Sequence, residues 1–543
     1  MKKRLLKSVI VNVIFIFAYL AILEPIHESN DDLAISFLVE GAYGIRSPYL
    51  VYQNILWGKL LCFLYSLIPN VKWYNILLYC ALFVSYVSLA YVFFSLSKSK
   101  IGVTLSILVL SLCGYHTYVI FQYTRITALV TAAGLILLFY SLDYAVKKNE
   151  KYVSFFIGIV LTVLGSLLRF QMFAVTVVLI GSVIGLNVAL KCFRKKKNIR
   201  GYVVAFGITC LLCCVFYGVD KLSYTTNNEW ATYQAFNEAR MELWDYGFPE
   251  YNENRHYFEK IGISESDYNF YKTWNMDEEV LTVESIQQIE QLKNPKEFEL
   301  IEFFKIFPKA FKKNDVFWMF LFLAIVMILI NWKISFFPVL LFFIVMIFEA
   351  YLYYQGRWGI ARVDYGIWIA ASLGLIYNLL DRFANVHQEK VRYKLIAIVG
   401  IGVLLWGNFT PNPTIIDGET SESKEFYREI IKDKEHLYVV LESAPRVYYS
   451  FEFWEPSELN ELSNIYNAYG WDFNTPTKKH ILDQYNIENI YRDSIDNSKV
   501  YFVVGDGQKE MLLTYISENY DERAVLVYEK EIDGIDILSI KTK

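Results

Sequence analysis

The sequence predicts an α-helical polytopic membrane protein of about eleven transmembrane helices, with an extracytoplasmic α/β domain at its C-terminal end. Three observations predict it. Apolar runs of about 17–20 residues recur along the 543 residues, long enough to cross a hydrocarbon core of roughly 30 Å. Lysine and arginine concentrate in short loops that all fall on one side of an odd-even count of those runs. The last 135 residues or so instead alternate β-rich runs with amphipathic stretches. With 55% hydrophobic residues and a mean hydropathy of +0.29, the chain is excluded from the soluble enzymes, nucleic-acid-binding domains and disordered proteins.

The spans read as 8–25, 73–96, 101–120, 126–145, 152–168, 172–190, 201–219, 316–332, 335–354, 365–380 and 395–408. Leu23-Glu24-Pro25 offers no small-residue cleavage site, so the first run reads as a span and not a removed leader. With the N-terminus cytoplasmic, the segments 1–7, 98–100, 147–151, 191–200, 333 and 382–394 are cytoplasmic and hold about twenty lysines and arginines with few acids. The outside then receives a loop at 220–314 with net charge −7 and a tail at 409–543 with net charge −12. The chain therefore divides into a membrane domain, 1–408, and an extracytoplasmic α/β domain, 409–543. Cysteines stand at 62, 80, 113, 192, 210, 213 and 214, so neither large polar region can hold an internal disulfide.

The first outer loop, 26–72, reads as two interfacial helices, 32–43 and 54–67, the second too short to span. Loop 220–314 reads as short helices broken at Pro249 and Gly262, ending in an amphipathic helix at Phe303–Phe311. In the tail, Tyr438–Leu441, Val500–Val504 and Ala524–Tyr528 read as strands, and Glu422–Lys432 and Glu510–Asn519 as helices. Val504-Gly505-Asp506-Gly507 is a strand and turn without the full glycine fingerprint of a nucleotide site.

Ionisable residues at a membrane boundary are costly and point to function. On the outer side they are Glu28, Asp31, Asp32, Arg125, Arg169, Glu349, Arg357, Arg362 and Asp364, with His116 nearby. Asp31-Asp32 is the sharpest element. As a catalytic pair, Asp31 is the base for an acceptor hydroxyl and Asp32 its partner, since adjacent like charges raise one pKa. The competing reading is helix capping by Ser29, Asn30 or Asp31. Arg125, Arg169, Arg357 and Arg362 suit a phosphate, because a guanidinium forks onto its oxygens and stays charged in low dielectric. Snorkelling, or pairing of an arginine with Asp364, is the plainer alternative.

With Asp31-Asp32 opening the first outer loop and juxtamembrane segments following it, the chain resembles the GT-C superfamily of multi-pass glycosyltransferases. Its outline is similar to the protein O-mannosyltransferases. The dipeptide departs from the commoner Asp-Glu form, and the tryptophan-tryptophan-aspartate signature of the oligosaccharyltransferases is absent. The resemblance implies an inverting transfer of sugar from a polyprenyl-phosphate-linked donor to a glycan or lipid acceptor on the outer face of the cell membrane. In that reading Asp31 and Asp32 are catalytic, and Arg125, Arg169, Arg357 and Arg362 bind substrate. No cofactor is firmly implied. Some members use a divalent metal, and no ligand set beyond Asp31 and Asp32 supports one here. Membrane lipids are expected partners and nucleic acid is not. Two other classes stay open: a polysaccharide polymerase or ligase of lipid-linked glycans, resting on loop arginines, and a non-catalytic lipid or glycan transporter, needing charge within central spans.

Overall fold

Helix α1 (Lys2–Ile22) is followed by a two-residue strand, β1 (Ile26–His27), in a computed structural model describing residues 1–195, 199–294, 298–311, 314–330, 336–383 and 422–543. Next come the two short helices expected in the first loop, α2 (Asn30–Glu40) and α3 (Ile55–Leu67). Gly41 stops α2 in the left-handed conformation, φ +85°, which only glycine adopts without strain. Helix α3 leaves Leu60, Phe63 and Leu67 exposed, the apolar stripe of an interfacial helix.

Helix α4 (Trp73–Leu96) has the expected bounds. Across the expected span at 101–120 the α-helix is interrupted. Helix α5 (Ser99–Leu112) is followed by a π-helical turn at Tyr115–Val119 and a strand, β2 (Ile120–Phe121), that pairs in parallel with β1. Then come α6 (Tyr123–Asp143), α7 (Lys148–Leu168), α8 (Phe170–Lys195) and α9 (Arg200–Thr226). The 220–314 loop holds α10 (Asn228–Trp244), α11 (Tyr251–Lys260), α12 (Glu265–Lys272), α13 (Val283–Glu290) and α14 (Leu300–Ala310). The membrane part ends, among the described residues, with α15 (Asp315–Ile330), α16 (Phe336–Gln355) and α17 (Ala361–Phe383).

Eight of these helices, α1, α4, α6, α7, α8, α9, α16 and α17, are long and apolar enough to cross a membrane; α3, α5 and α15 are shorter apolar helices. The expected span at 395–408 lies outside the described residues. Helices α6 and α17 are the most enclosed of the eight, which puts them at the centre. Helices α6 and α7 approach through small residues, and a Cβ on Gly134 would stand 2.6 Å from the Thr162 backbone nitrogen. At one end of the bundle Lys191 of α8 bridges Asp143 of α6, at 3.0 Å, and Asp381 of α17.

At the other end, residues 422–543 build a five-stranded sheet. Helix α18 (Glu422–Ile430) leads into β3 (Leu437–Val440) and β4 (Ile465–Asn467), and α19 (Pro476–Tyr485) into β5 (Val500–Val503). After α20 (Lys509–Asn519) come β6 (Ala524–Ile532) and β7 (Ile535–Thr542). The order is β4-β3-β5-β7-β6, parallel among the first three and antiparallel thereafter. Asp533-Gly534, both at positive φ, closes the β6–β7 hairpin in two residues.

The sequence division at 408/409 is crossed by buried polar contacts. Glu40 of α2 pairs with Lys72 at 2.8 Å and accepts the Ser457 backbone N–H at 2.9 Å. Asp277, in the long loop, accepts Asn489 at 3.0 Å and Tyr515 at 2.9 Å. Asn75, in the first turn of α4, donates to the Phe453 carbonyl at 2.6 Å.

Candidate active site

The first strand and helix after α1 set the site. The β1–β2 pairing fixes His27 and Glu28 against residues 120–121, and α2 starts at Asn30. Ser29 occupies the N-cap position, yet its side chain makes no capping bond. The two aspartates do not cap either, since their oxygens reach other elements.

Asp31 faces outward from α2 toward the C-terminal sheet unit. Its Oδ1 accepts the Trp471 indole N–H at 3.1 Å, and its Oδ2 lies 3.5 Å from Nη2 of Arg362. The Asp31 side chain keeps 11% exposure, so the carboxylate is anchored on two sides and still reachable. Asp32 faces inward and is fully buried. Its Oδ1 accepts the Tyr74 hydroxyl at 2.9 Å and the Tyr123 backbone N–H at 3.2 Å, while Oδ2 has no partner. Burial first, and the neighbouring Asp31 charge second among the raising effects, push the Asp32 carboxyl well above the usual carboxylate range. The adjacent acids thus stand in different surroundings: Asp32 is fully enclosed and favours its proton, and Asp31 keeps slight exposure between an indole and a guanidinium.

Of the four arginines expected at the site, Arg362 alone pairs with one of these aspartates among the described residues, and the other three take different partners. Arg125, in the first turn of α6, is buried and pairs with Glu28 at 2.5 Å, its guanidinium 4.5 Å from the Tyr365 ring centre. Gln122 caps α6 through its side chain and orients that turn. Arg362 opens α17 and takes Asp31, so among the described residues it does not pair with Asp364, which lies toward Arg125. Arg357, between α16 and α17, pairs with Asp245 at 3.4 Å. Arg169, at the α7–α8 junction, lies over the Tyr52 ring at 4.7 Å.

Two other sequence candidates stand beside the site. His116, in the π-helical turn, is 2.7 Å from Asp315 and gives its carbonyl to Arg125. Glu349 is fully buried; its Oε2 accepts the Trp358 indole N–H at 2.9 Å, and no arginine pairs with it among the described residues.

Three site residues escape a reading of charges at span boundaries. Tyr52 lies within electrostatic reach of Arg240, Asp31, Asp245 and Arg169, packs edge-on to Trp471, and has its phenol pushed up to about 12 by burial. Arg240 of α10 is 2% exposed and donates from Nε and Nη2 to Asn237 alone. Trp471 brings the sheet unit to the aspartate, held by Tyr233, which donates to its carbonyl. The usable signals were local: one of two arginines in an acid-rich loop, and Gly470-Trp471-Asp472, an aromatic behind a turn glycine.

Chemically, the arrangement offers one accessible carboxylate able to take a proton, beside guanidiniums able to hold an anion. Asp31 and Asp32 are drawn to opposite partners, and no three His, Cys, Asp or Glu residues converge among the described residues. Gly505, in the strand-turn motif, packs against Ser443, whose carbonyl oxygen would lie 2.5 Å from an added Cβ; that accounts for the glycine through packing. No protein-family model, no curated protein and no solved structure matches the chain.

Proposed function

We propose that the protein is a membrane glycosyltransferase. It transfers a sugar from a polyprenyl-phosphate-linked donor to an acceptor hydroxyl of a glycan or lipid. The reaction lies on the outer face of the cell membrane, with the N-terminus cytoplasmic and the C-terminal α/β unit outside. The observation that carries this reading is the gathering of Asp31 with five arginines at one end of a bundle of apolar helices.

In the reaction the acceptor oxygen bonds to the anomeric carbon as its proton passes to Asp31. The bond from that carbon to the phosphate oxygen breaks, and its electron pair leaves with the phosphate. Guanidiniums stabilise the charge that develops there, and the transition state has oxocarbenium character. Trp471 and Arg362 hold Asp31 in place, so little reorganisation is needed at the moment of transfer.

The test is mass spectrometry of lipids extracted from the purified protein. The expected result is a lipid-linked sugar, retained by wild type and depleted when Arg169 and Arg240 are both changed to glutamine. A wild-type preparation that retains no such lipid, and neither consumes nor binds one added in excess, contradicts the proposal.

A further inference from the structure

The ion pairs sort the five arginines into two groups. Arg125 is matched by Glu28, Arg362 by Asp31 and Arg357 by Asp245. Arg169 and Arg240 have no carboxylate within ion-pair distance among the described residues. Nη1 of Arg169 is buried without a hydrogen-bond partner. Arg240 is enclosed and rests its guanidinium on a single neutral amide oxygen.

Both of these cations reach the same tyrosine, and the chain strains to put it there. Val51 adopts φ +62°, costly for a β-branched residue, in a tight turn where the Tyr52 N–H bonds to the Leu50 carbonyl at 2.6 Å. The Tyr224 hydroxyl holds the Val51 N–H at 2.7 Å. The Tyr52 hydroxyl has no protein partner among the described residues. Strain of this kind persists where the surroundings over-determine it, commonly at ligand sites.

A buried guanidinium without a counter-charge is destabilising, and beside one phenol this fold keeps the enclosed Arg240 and the half-buried Arg169. The two acids in reach of Tyr52, Asp31 and Asp245, already face their own arginines. Asp364 lies instead toward Arg125 and Glu28. Asp32, which neighbours Tyr123 together with Arg169, is bonded to Tyr74 and the Tyr123 N–H instead. Two guanidiniums are therefore unmatched by an ion-paired carboxylate among the described residues, which leaves room for two negative charges. We infer that the ligand supplies both: the donor is a diphosphate-linked lipid, carrying two charges, and not a lipid phosphodiester, which carries one. This inference rests on the lipid-linked-donor reading above and narrows it.

The test compares two synthetic probes with the same farnesyl chain, binding to the full-length protein in detergent. One is farnesyl methyl phosphate, with one charge; the other is a farnesyl methyl diphosphate diester, with two. The diphosphate is expected to bind at least about ten-fold more tightly, because it completes one more charge-assisted contact. Arg169→Gln and Arg240→Gln should each weaken diphosphate binding by about ten-fold and bring the two probes toward equal affinity. Should Arg240→Gln fail to fold, Arg169→Gln alone carries the comparison. Equal wild-type affinity for the two probes overturns the inference and leaves the glycosyltransferase reading standing. A preference for diphosphate that neither variant reduces overturns the assignment to these arginines. Failure of wild type to bind either probe overturns both readings.

Discussion

The Trp471 indole N–H donates to Oδ1 of Asp31 at 3.1 Å, joining residues 440 positions apart in sequence. The bond makes the C-terminal unit part of the site. Trp471→Phe keeps the ring against Tyr52 and removes only the donor. Turnover should fall about ten-fold with donor affinity unchanged, since a hydrogen bond to a charged group contributes about 1.5–3 kcal/mol. Steady-state kinetics alongside direct binding checks this; a loss of donor affinity with unchanged turnover would place Trp471 in donor binding instead.

Asp32 should make stability depend on pH. Its folded-state pKa is raised by burial, so its contribution is fully present below the unfolded value of about 3.9 and is lost as pH rises through the folded value. Asp32→Asn mimics the protonated form and abolishes that loss. The unfolding free energy of the variant should therefore gain on wild type as pH rises from about 5 to 8, by up to about 1.4 kcal/mol per pH unit while only the native Asp32 holds its proton. Melting curves across that range check it, and a constant difference would rule it out.

The Glu40–Lys72 pair is buried at the meeting of α2, α4 and the sheet unit, and Glu40 also accepts from Tyr65 at 3.0 Å. Lys72→Met should destabilise the protein by roughly 3–5 kcal/mol, because it strands a buried carboxylate. Adding Glu40→Gln should recover part of that loss. Unfolding midpoints of the two singles and the double measure the coupling, and additive costs would show that the pair acts independently.

The charge asymmetry predicts the topology. A tag beside Asn149 should be protected in sealed right-side-out vesicles, while tags beside Asn254 and at Lys543 should be accessible. Accessibility of the first, or protection of the last, would put the site on the cytoplasmic face.

Much of the site was legible because a charge at the edge of an apolar run stands out against its surroundings. Asp31, Asp32, Arg125, Arg169, Arg357 and Arg362 all carry that signal. Their pairings did not, since Arg362 chooses Asp31 over nearby Asp364 for tertiary reasons. Arg240 lies among eighteen acids in a polar loop, where an arginine looks solvated until α10 docks and buries it. Tyr52 looks like any belt aromatic until the Val51 turn aims it. In the fold, β4 is three residues long and has no periodicity to read. β7 was readable, since Asp533-Gly534 between apolar runs is a hairpin signal. The span expected at 101–120 is mostly apolar, and composition alone does not reveal the π-helical turn that holds His116 against Asp315.

On the proposed function, Asp31 removes a proton from an acceptor during transfer from a lipid-linked sugar. Asp31→Asn keeps the side-chain size and leaves an oxygen for the Trp471 indole to reach. The direct measurement is single-turnover release of the lipid phosphate from a lipid-linked sugar by purified protein in liposomes, with a membrane lipid extract as the source of donor and acceptor. Asp31→Asn should bind donor like wild type and release lipid phosphate roughly 10²–10⁴-fold more slowly, the range for loss of a general base. Release at the wild-type rate by Asp31→Asn and by the Asp31→Asn/Asp32→Asn double variant would contradict the account.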